Sequence, residues 1–160
     1  MRTPDVCRIA LAALLLLGCN RKPPYEGRSV ADLERMLADP KPSVQAQGAF
    51  GLGLLGDKAK PAVPALTKAL GSPDTLVRQQ AALSLGQIGD AGAVPALAKA
   101  LGDKEWTIRR QAAAALGAIG PPAREAEAVL RKCERDAHAP VRKAATEALG
   151  RIRGKAGGMP

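Results

Sequence analysis

The chain has 160 residues, a formal net charge of +9 and a hydrophobic fraction of 46%, yet its only aromatic residues are Tyr25, Phe50 and Trp106. That length fits one domain of ordinary size, whose core must be built from Ala, Leu, Val and Ile, a composition suited to closely spaced helices. The basic balance points to acidic partners, anionic lipid or nucleic acid, and the compartment decides among them.

The compartment is written at the N-terminus. Arg2 and Arg8 flank a positive region that is followed by nine apolar residues, Ile9 to Leu17. A membrane-spanning helix needs about 20, so the run reads as a signal peptide. It ends Leu16-Leu17-Gly18-Cys19, which resembles the lipobox of bacterial lipoproteins; Gly18 fits that pattern, while Leu17 is bulkier than the usual Ala or Ser. The resemblance implies that residues 1–18 are removed and that Cys19 receives a diacylglycerol thioether. The plainer alternative is an ordinary secretory signal with an incidental cysteine. With Cys7 removed and Cys19 modified, Cys133 is the one free thiol, no intrachain disulfide is possible and the fold stands on packing.

Residues 19–28 read as a lipid-anchored tether. Pro23 and Pro24 favour extended polyproline II, and the eight residues Asn20 to Gly27 span roughly 25 Å at about 3.1 Å each. Arg21 and Lys22 lie where they would meet anionic headgroups. In families with lipoprotein sorting, aspartate after the cysteine retains the protein in the inner membrane; Asn20 therefore leans towards the outer one. The expected location is the bacterial cell envelope, lipid-anchored and facing the periplasm.

From Ser29 onwards the apolar spacing is helical. Ser29 and Asp32 form a capping-box pattern before Val30, Leu33, Met36 and Leu37, and this first helix stops near Pro40. Its counterparts are Val63 to Leu70 and Val94 to Leu101, with a looser copy, Glu125 to Cys133, set one residue further from the following helix. That register puts Cys133 in the column of Leu37, Leu70 and Leu101, as a small buried hydrophobe. Each short helix precedes a longer one anchored on Val44, Val77, Ile108 or Val141, at intervals of 33, 31 and 33 residues. Eight positions after each anchor stands Leu52, Leu85, Leu116 or Leu149; nine after, Gly53, Gly86, Gly117 or Gly150. Five before stand Asp39, Ser72, Asp103 and Asp136, all good N-cap residues, while Gly86 and Gly89 read as helix stops. The repeat defines a domain over 29–153, in units of about 29–56, 57–89, 90–120 and 121–153, with a flexible tail at 154–160.

These columns, V/I-R-x-x-A…LG-x-[IL]-G, resemble HEAT repeats of the short kind found in phycobilisome lyase subunits. The resemblance implies an all-α fold, a right-handed α-solenoid of four HEAT-like helix pairs. Its end units differ as solenoid ends should: three glycines in the first long helix, each costing up to about 1 kcal/mol against alanine, should make that unit the softest, and Glu147 and Arg153 give the last a polar face.

Arg78, Arg109 and Arg142 follow their anchors directly. In HEAT proteins such an arginine often bonds an acid of an adjacent unit, and Asp74, Asp103 and Asp136 are available for this ladder. Two positions after the anchors stand Ala46, Gln79, Arg110 and Lys143; ten after stand Leu54, Gln87, Ala118 and Arg151. Both columns should face outward on the concave side, so Gln79, Arg110, Lys143 and Arg151 are the candidate partner-binding residues. Trp106 fills no core column and reads either as an interface anchor or as a lid over the gap between the two helices of its unit.

No catalytic set, metal site or cofactor is expected: His138 is the single histidine, HEAT-like metal hydroxylases carry several His-Glu pairs, and no Gly-rich phosphate loop follows a strand. The expected function is a non-enzymatic, lipid-anchored scaffold or assembly factor whose partner is another protein with an acidic surface, the membrane being reached through Cys19. One alternative is a lyase-like or chaperone-like factor acting on a tetrapyrrole-bearing protein. The other is nucleic-acid binding, which the charge permits and export forbids.

Overall fold

The computed structural model describes residues 23–154. Eight α-helices occur among them: α1 (Val30–Leu37), α2 (Pro42–Leu55), α3 (Val63–Ala69), α4 (Thr75–Ile88), α5 (Val94–Ala100), α6 (Trp106–Ile119), α7 (Glu127–Cys133) and α8 (Ala139–Ile152). Short 3-10 segments, Gly56–Ala62, Ala91–Ala93 and Pro121–Ala126, lead into α3, α5 and α7. The described residues contain no strand. They form four pairs, each a short odd-numbered helix followed by a 14-residue even-numbered one.

Each pair closes on a layer of branched aliphatics. Leu33, Leu66, Leu97 and Leu130 on the odd-numbered helices are at most 1% exposed, and Leu52, Leu85, Leu116 and Leu149 on the even-numbered ones at most 4%. Burying one such leucine contributes about 1.5–3 kcal/mol, so this column supplies much of each pair's cohesion. The even-numbered helices pack against one another in series, while the odd-numbered helices make few contacts among themselves. A layer packed tightly on one side and splayed on the other curves towards the tight side. The molecule is therefore an α-solenoid with its even-numbered helices on the inside of the curve.

The tight side depends on small residues. A Cβ on Gly86 would lie 2.9 Å from Cα of Ala115, and one on Gly117 would lie 2.9 Å from Cα of Ala148. Gly86 thus does not stop α4, as its spacing suggests; it sits inside the helix and admits the next helix. The stop is Gly89, in the left-handed region at φ 71°.

Helix entry also differs from the sequence expectation. The caps of the even-numbered helices are Lys41, Asp74, Glu105 and His138, not the residues two positions earlier. Asp39, Ser72, Asp103 and Asp136 instead accept a hydrogen bond from the backbone N–H of those caps at 2.8–3.2 Å. They fix the turn before the helix, as short polar side chains do when they bond the backbone two residues on. Ser29 and Asp32 do form a capping box on α1.

The fourth pair is in register with the others. Glu127 begins α7 where Val63 and Val94 begin α3 and α5, 12 residues ahead of the next helix. Cys133 therefore shares a column with Met36, Ala69 and Ala100, and Glu134 takes the place of Leu37, Leu70 and Leu101. Cys133 is buried, whereas Glu134 is exposed, because none of the described residues covers that position. Glu134 accepts from Thr146 at 3.1 Å, and Arg153 donates to Glu127 at 3.1 and 3.2 Å, so polar bonds finish this end.

At the other end of the described residues stands the segment expected to form an extended tether. Pro23 to Arg28 are not extended: Glu26 N–H donates to Pro23 O at 2.9 Å and the chain turns. This places the Tyr25 ring edge-on to Phe50 at 5.0 Å, with Tyr25 Cβ lying 2.8 Å from where a Cβ on Gly51 would stand. Gly48 and Gly51 thus give close approach to α1 and Tyr25, and Gly53 to Ser84 and Gln87 of α4, in return for their weak helix propensity.

Candidate functional site

Two arrangements of polar side chains run along the solenoid. The first lies at the N-terminal ends of the even-numbered helices. Arg78 donates from Nε to Asp103 Oδ2 at 2.9 Å and from Nη2 to Oδ1 at 3.2 Å. Arg109 repeats this with Asp136 at 2.7 and 2.9 Å. Each arginine also returns Nη1 to its own turn, Arg78 to Ser72 O, Arg109 to Asp103 O and Arg142 to Asp136 O, at 2.8–3.0 Å. Gln45 does the same for Asp39 O. Two rungs thus tie the second pair to the third and the third to the fourth.

Asp74 takes no part in these rungs: it caps α4, accepting from Leu76 and Val77 N–H at 2.9 and 3.1 Å. The first junction offers Gln45 and Ser72 in place of an ion pair. Arg142, on the fourth pair, meets no acid among the described residues and bonds Asp136 O and Ala137 O. Within the second rung, hydrogen bonding from Arg109 holds the Asp136 carboxyl well below the usual carboxylate range, against its burial. The same bond raises Arg109. In each rung the guanidinium and the carboxylate are turned towards each other and the adjoining backbone.

Trp106 belongs to this edge. Its ring stacks on His138 of the fourth pair, centroids 5.6 Å apart and planes 8° from parallel. His138 Nδ1 lies 3.4 Å from Asp136 Oδ1 and 3.3 Å from Arg109 Nη2. Trp106 is half-buried and packs over the junction between the third and fourth pairs.

The second arrangement is the open face of the even-numbered helices. Arg110, Lys143 and Arg151 are exposed there. Among the described residues Arg110 and Arg151 make no ion pair, and Lys143 reaches Glu147 only at 4.0 Å. Gln79 is half-buried and Ala46 is 5% exposed. The column is therefore not uniformly outward, because at these two positions the neighbouring pair, and at Ala46 the Tyr25 turn, come close. The same face carries residues that the two-column reading passed over: Phe50 and Leu83 six positions after their anchors, and Leu76 one before. The period-3.6 pattern already placed them off the core, but an apolar side chain off the core gives no signal in sequence of what it faces.

Cys133 is buried, and desolvation raises its thiol above the ordinary value, which leaves little thiolate at neutral pH. No cluster of three or more His, Cys, Asp or Glu able to hold a metal occurs among the described residues, nor does any helix long and apolar enough to cross a membrane. Cys19 and the segment around it lie outside the described residues, as does the tail beyond Gly154.

Three kinds of comparison bear on this geometry. The family model described as HEAT repeats matches residues 29–117 and 94–157. None of the curated proteins matches the chain in sequence. Among solved structures, human deoxyhypusine hydroxylase in complex with glycerol is similar at 30% identity and a TM-score of 0.71, over 92% of this chain and 56% of that one. The complex of CpcE and CpcF of phycocyanin lyase from Nostoc sp. PCC7120 is similar at 26% identity and a TM-score of 0.69, over 96% of this chain and 62% of that one. An engineered protein is similar at 28% identity and a TM-score of 0.67, over 79% and 63%. This chain thus spans less than two thirds of the length of each.

Proposed function

Since the chain belongs to the HEAT-repeat family, we propose that it is a lipid-anchored scaffold or assembly factor of the bacterial cell envelope, holding an acidic surface of another protein against its even-numbered helices. The observation that carries the binding part is the group Arg110, Lys143 and Arg151: three exposed cations on one face of a rigid layer. Cations engaged in structural rungs, such as Arg78 and Arg109, have their donors consumed; these three retain theirs. A guanidinium with free donors also makes bidentate contacts to carboxylates. The envelope part rests on Leu16-Leu17-Gly18-Cys19 and the apolar run before it.

Reversing Arg110 and Lys143 to glutamate tests the binding face: capture of the partner by the anchored protein should weaken while helix content is unchanged. Unchanged capture, with loss instead on altering Trp106 or the odd-numbered helices, would place the site elsewhere. For the anchor, Cys19→Ala should abolish incorporation of a fatty-acid analogue, and equal label in both proteins would remove the lipobox assignment.

A second reading is favoured by the likeness to the phycocyanin lyase complex: a lyase-like or chaperone-like factor for a tetrapyrrole-bearing protein. Mixing the protein with a tetrapyrrole and recording the absorbance of the bound pigment separates the two. Nucleic-acid binding applies only to a chain whose signal is unused, and localisation decides it.

A further inference from the structure

The open face of the even-numbered helices changes character along the solenoid. Over the first two pairs it is uncharged, with exposed apolar side chains beside Gln79 and Gln87. Leu54 is 58% and Leu76 49% exposed, Phe50 and Leu83 are half-buried beside them, and Tyr25 closes the end. Over the last two pairs the matching columns hold Arg110, Ala114, Ala118, Lys143, Glu147 and Arg151. The charge balance follows the same division: residues 23–56 carry three Lys or Arg against four Asp or Glu, residues 121–153 eight against five.

A shallow groove of about 260 Å³ runs between α2 and α4, lined by Tyr25, Ala46, Phe50, Leu76 and Gln80 among others. Oε1 of Gln80 is buried there and accepts no hydrogen bond from the described residues. Buried amide oxygens are nearly always paired; Gln80 as a residue is only half-buried and lines the groove, so a turn of its amide about χ3 presents this acceptor to an incoming N–H. Uncharged walls, mostly apolar in area and interrupted by Ser43, Gln47 and Gln80, suit a peptide segment better than they suit a charged surface.

We propose that the chain grips its partner, another protein, at two places along a single amphipathic segment. Its apolar side chains lie in the α2–α4 groove with one N–H directed to Gln80 Oε1, and its acidic side chains lie over Arg110 and Lys143. The proposal rests on the binding face argued above and adds the partner's chemistry and its direction, apolar end towards the tether. Adjacent helices are about 8–10 Å apart, so α4 to α8 spans about 20 Å. That distance is covered by about six extended residues or about 13 helical ones.

The test is selection of a displayed library of random peptides, about 15 residues long, on the full chain. The affinity of the best peptide is then measured for the wild type, Leu76→Ser, Gln80→Met and the Arg110→Glu/Lys143→Glu double variant. Enriched peptides should carry apolar residues at one end and Asp or Glu at the other. Leu76→Ser and the double variant should each weaken binding tenfold or more, the latter also flattening its salt dependence, and Gln80→Met should weaken it several-fold, all with unchanged circular dichroism. No enrichment, or enriched peptides without this polarity, overturns the proposal. Loss on the double reversal but indifference to Leu76→Ser and Gln80→Met overturns the two-point grip and leaves the cationic face standing; indifference to all the variants removes both. Two other occupants overturn it as well. One is a phosphatidylcholine bilayer, if the Cys19→Ala chain binds neutral vesicles and loses this in Leu54→Gln/Leu76→Ser. The other is a second copy, if a dimer in solution is lost in the same variant.

Discussion

Arg109 and Asp136, 27 positions apart in sequence, meet through two parallel N–H···O bonds at 2.7 and 2.9 Å and fasten the third helix pair to the fourth. Both side chains are 10–15% exposed, so the pair lies between an exposed one, worth about 0.2–1 kcal/mol, and a fully buried one, whose breaking costs about 3–5 kcal/mol. Asp136→Ala should therefore cost about 2–3 kcal/mol, in line with a hydrogen-bonded charge. Asp74→Ala, which removes only a cap, should cost about 1 kcal/mol. Urea midpoints compare the two, and equal shifts would mean that the rung contributes no more than a cap.

The same carboxylate predicts a pH dependence. Asp136 has its folded pKa depressed from 3.8, first by the hydrogen bond from Arg109. A depressed acid stabilises the fold above its unfolded pKa and loses that contribution as pH falls through the folded value. Stability should thus decline from about pH 4 downwards, more steeply in the wild type than in Asp136→Asn. Parallel acid limbs in the two proteins would refute it.

Gly117→Ala improves helix propensity by about 1 kcal/mol but drives a methyl to 2.9 Å from the Ala148 backbone. Backbone yields less readily than a side chain, and overpacking costs about 1–3 kcal/mol. The net effect should be a lower melting temperature. A rise would show that α6 and α8 separate freely.

Leu85 and Leu83 stand two residues apart on α4, the first 0% exposed and the second half-exposed. Leu85→Ala should cost about 2–5 kcal/mol and Leu83→Ala much less, read from the midpoints of thermal or denaturant unfolding. Equal losses would contradict the assignment of the open face.

Cys133 should resist alkylation by iodoacetamide at neutral pH in the folded protein and react fully in denaturant, because burial both covers the sulfur and raises its pKa. Mass spectrometry before and after unfolding reads this directly. Equal rates would mean that α7 opens readily.

Much of the architecture was legible in the residues. Periodicity marked eight helices because burying one stripe of each is what a helix pair can do, and four copies of that solution leave repeating columns. The capping box at Ser29 and the leucine column at Leu52, Leu85, Leu116 and Leu149 are local consequences of helix geometry. So they can be read without knowing what lies across from them.

Where the reading needed knowledge of what lies across, it went astray. Gly86 looked like a stop because glycine commonly is one; only the approach of Ala115 makes it a contact. Cys133 was set against the leucines because it is apolar, whereas the exposed Glu134 holds that column at the end of the array. Tyr25 looked like part of a solvated tether and instead folds back onto Phe50.

What the sequence determined by itself is the unit: which residues form each helix, which stripe each helix buries, and that the unit is repeated. The tertiary structure alone decided which arginines find an acid, which glycines are pressed by a neighbour, and which apolar side chains of the open face stay exposed. The physical reason is range. Helical periodicity and capping act within a few residues and are recorded in every copy, whereas contacts between copies depend on packing at about 8–10 Å between segments roughly thirty residues apart.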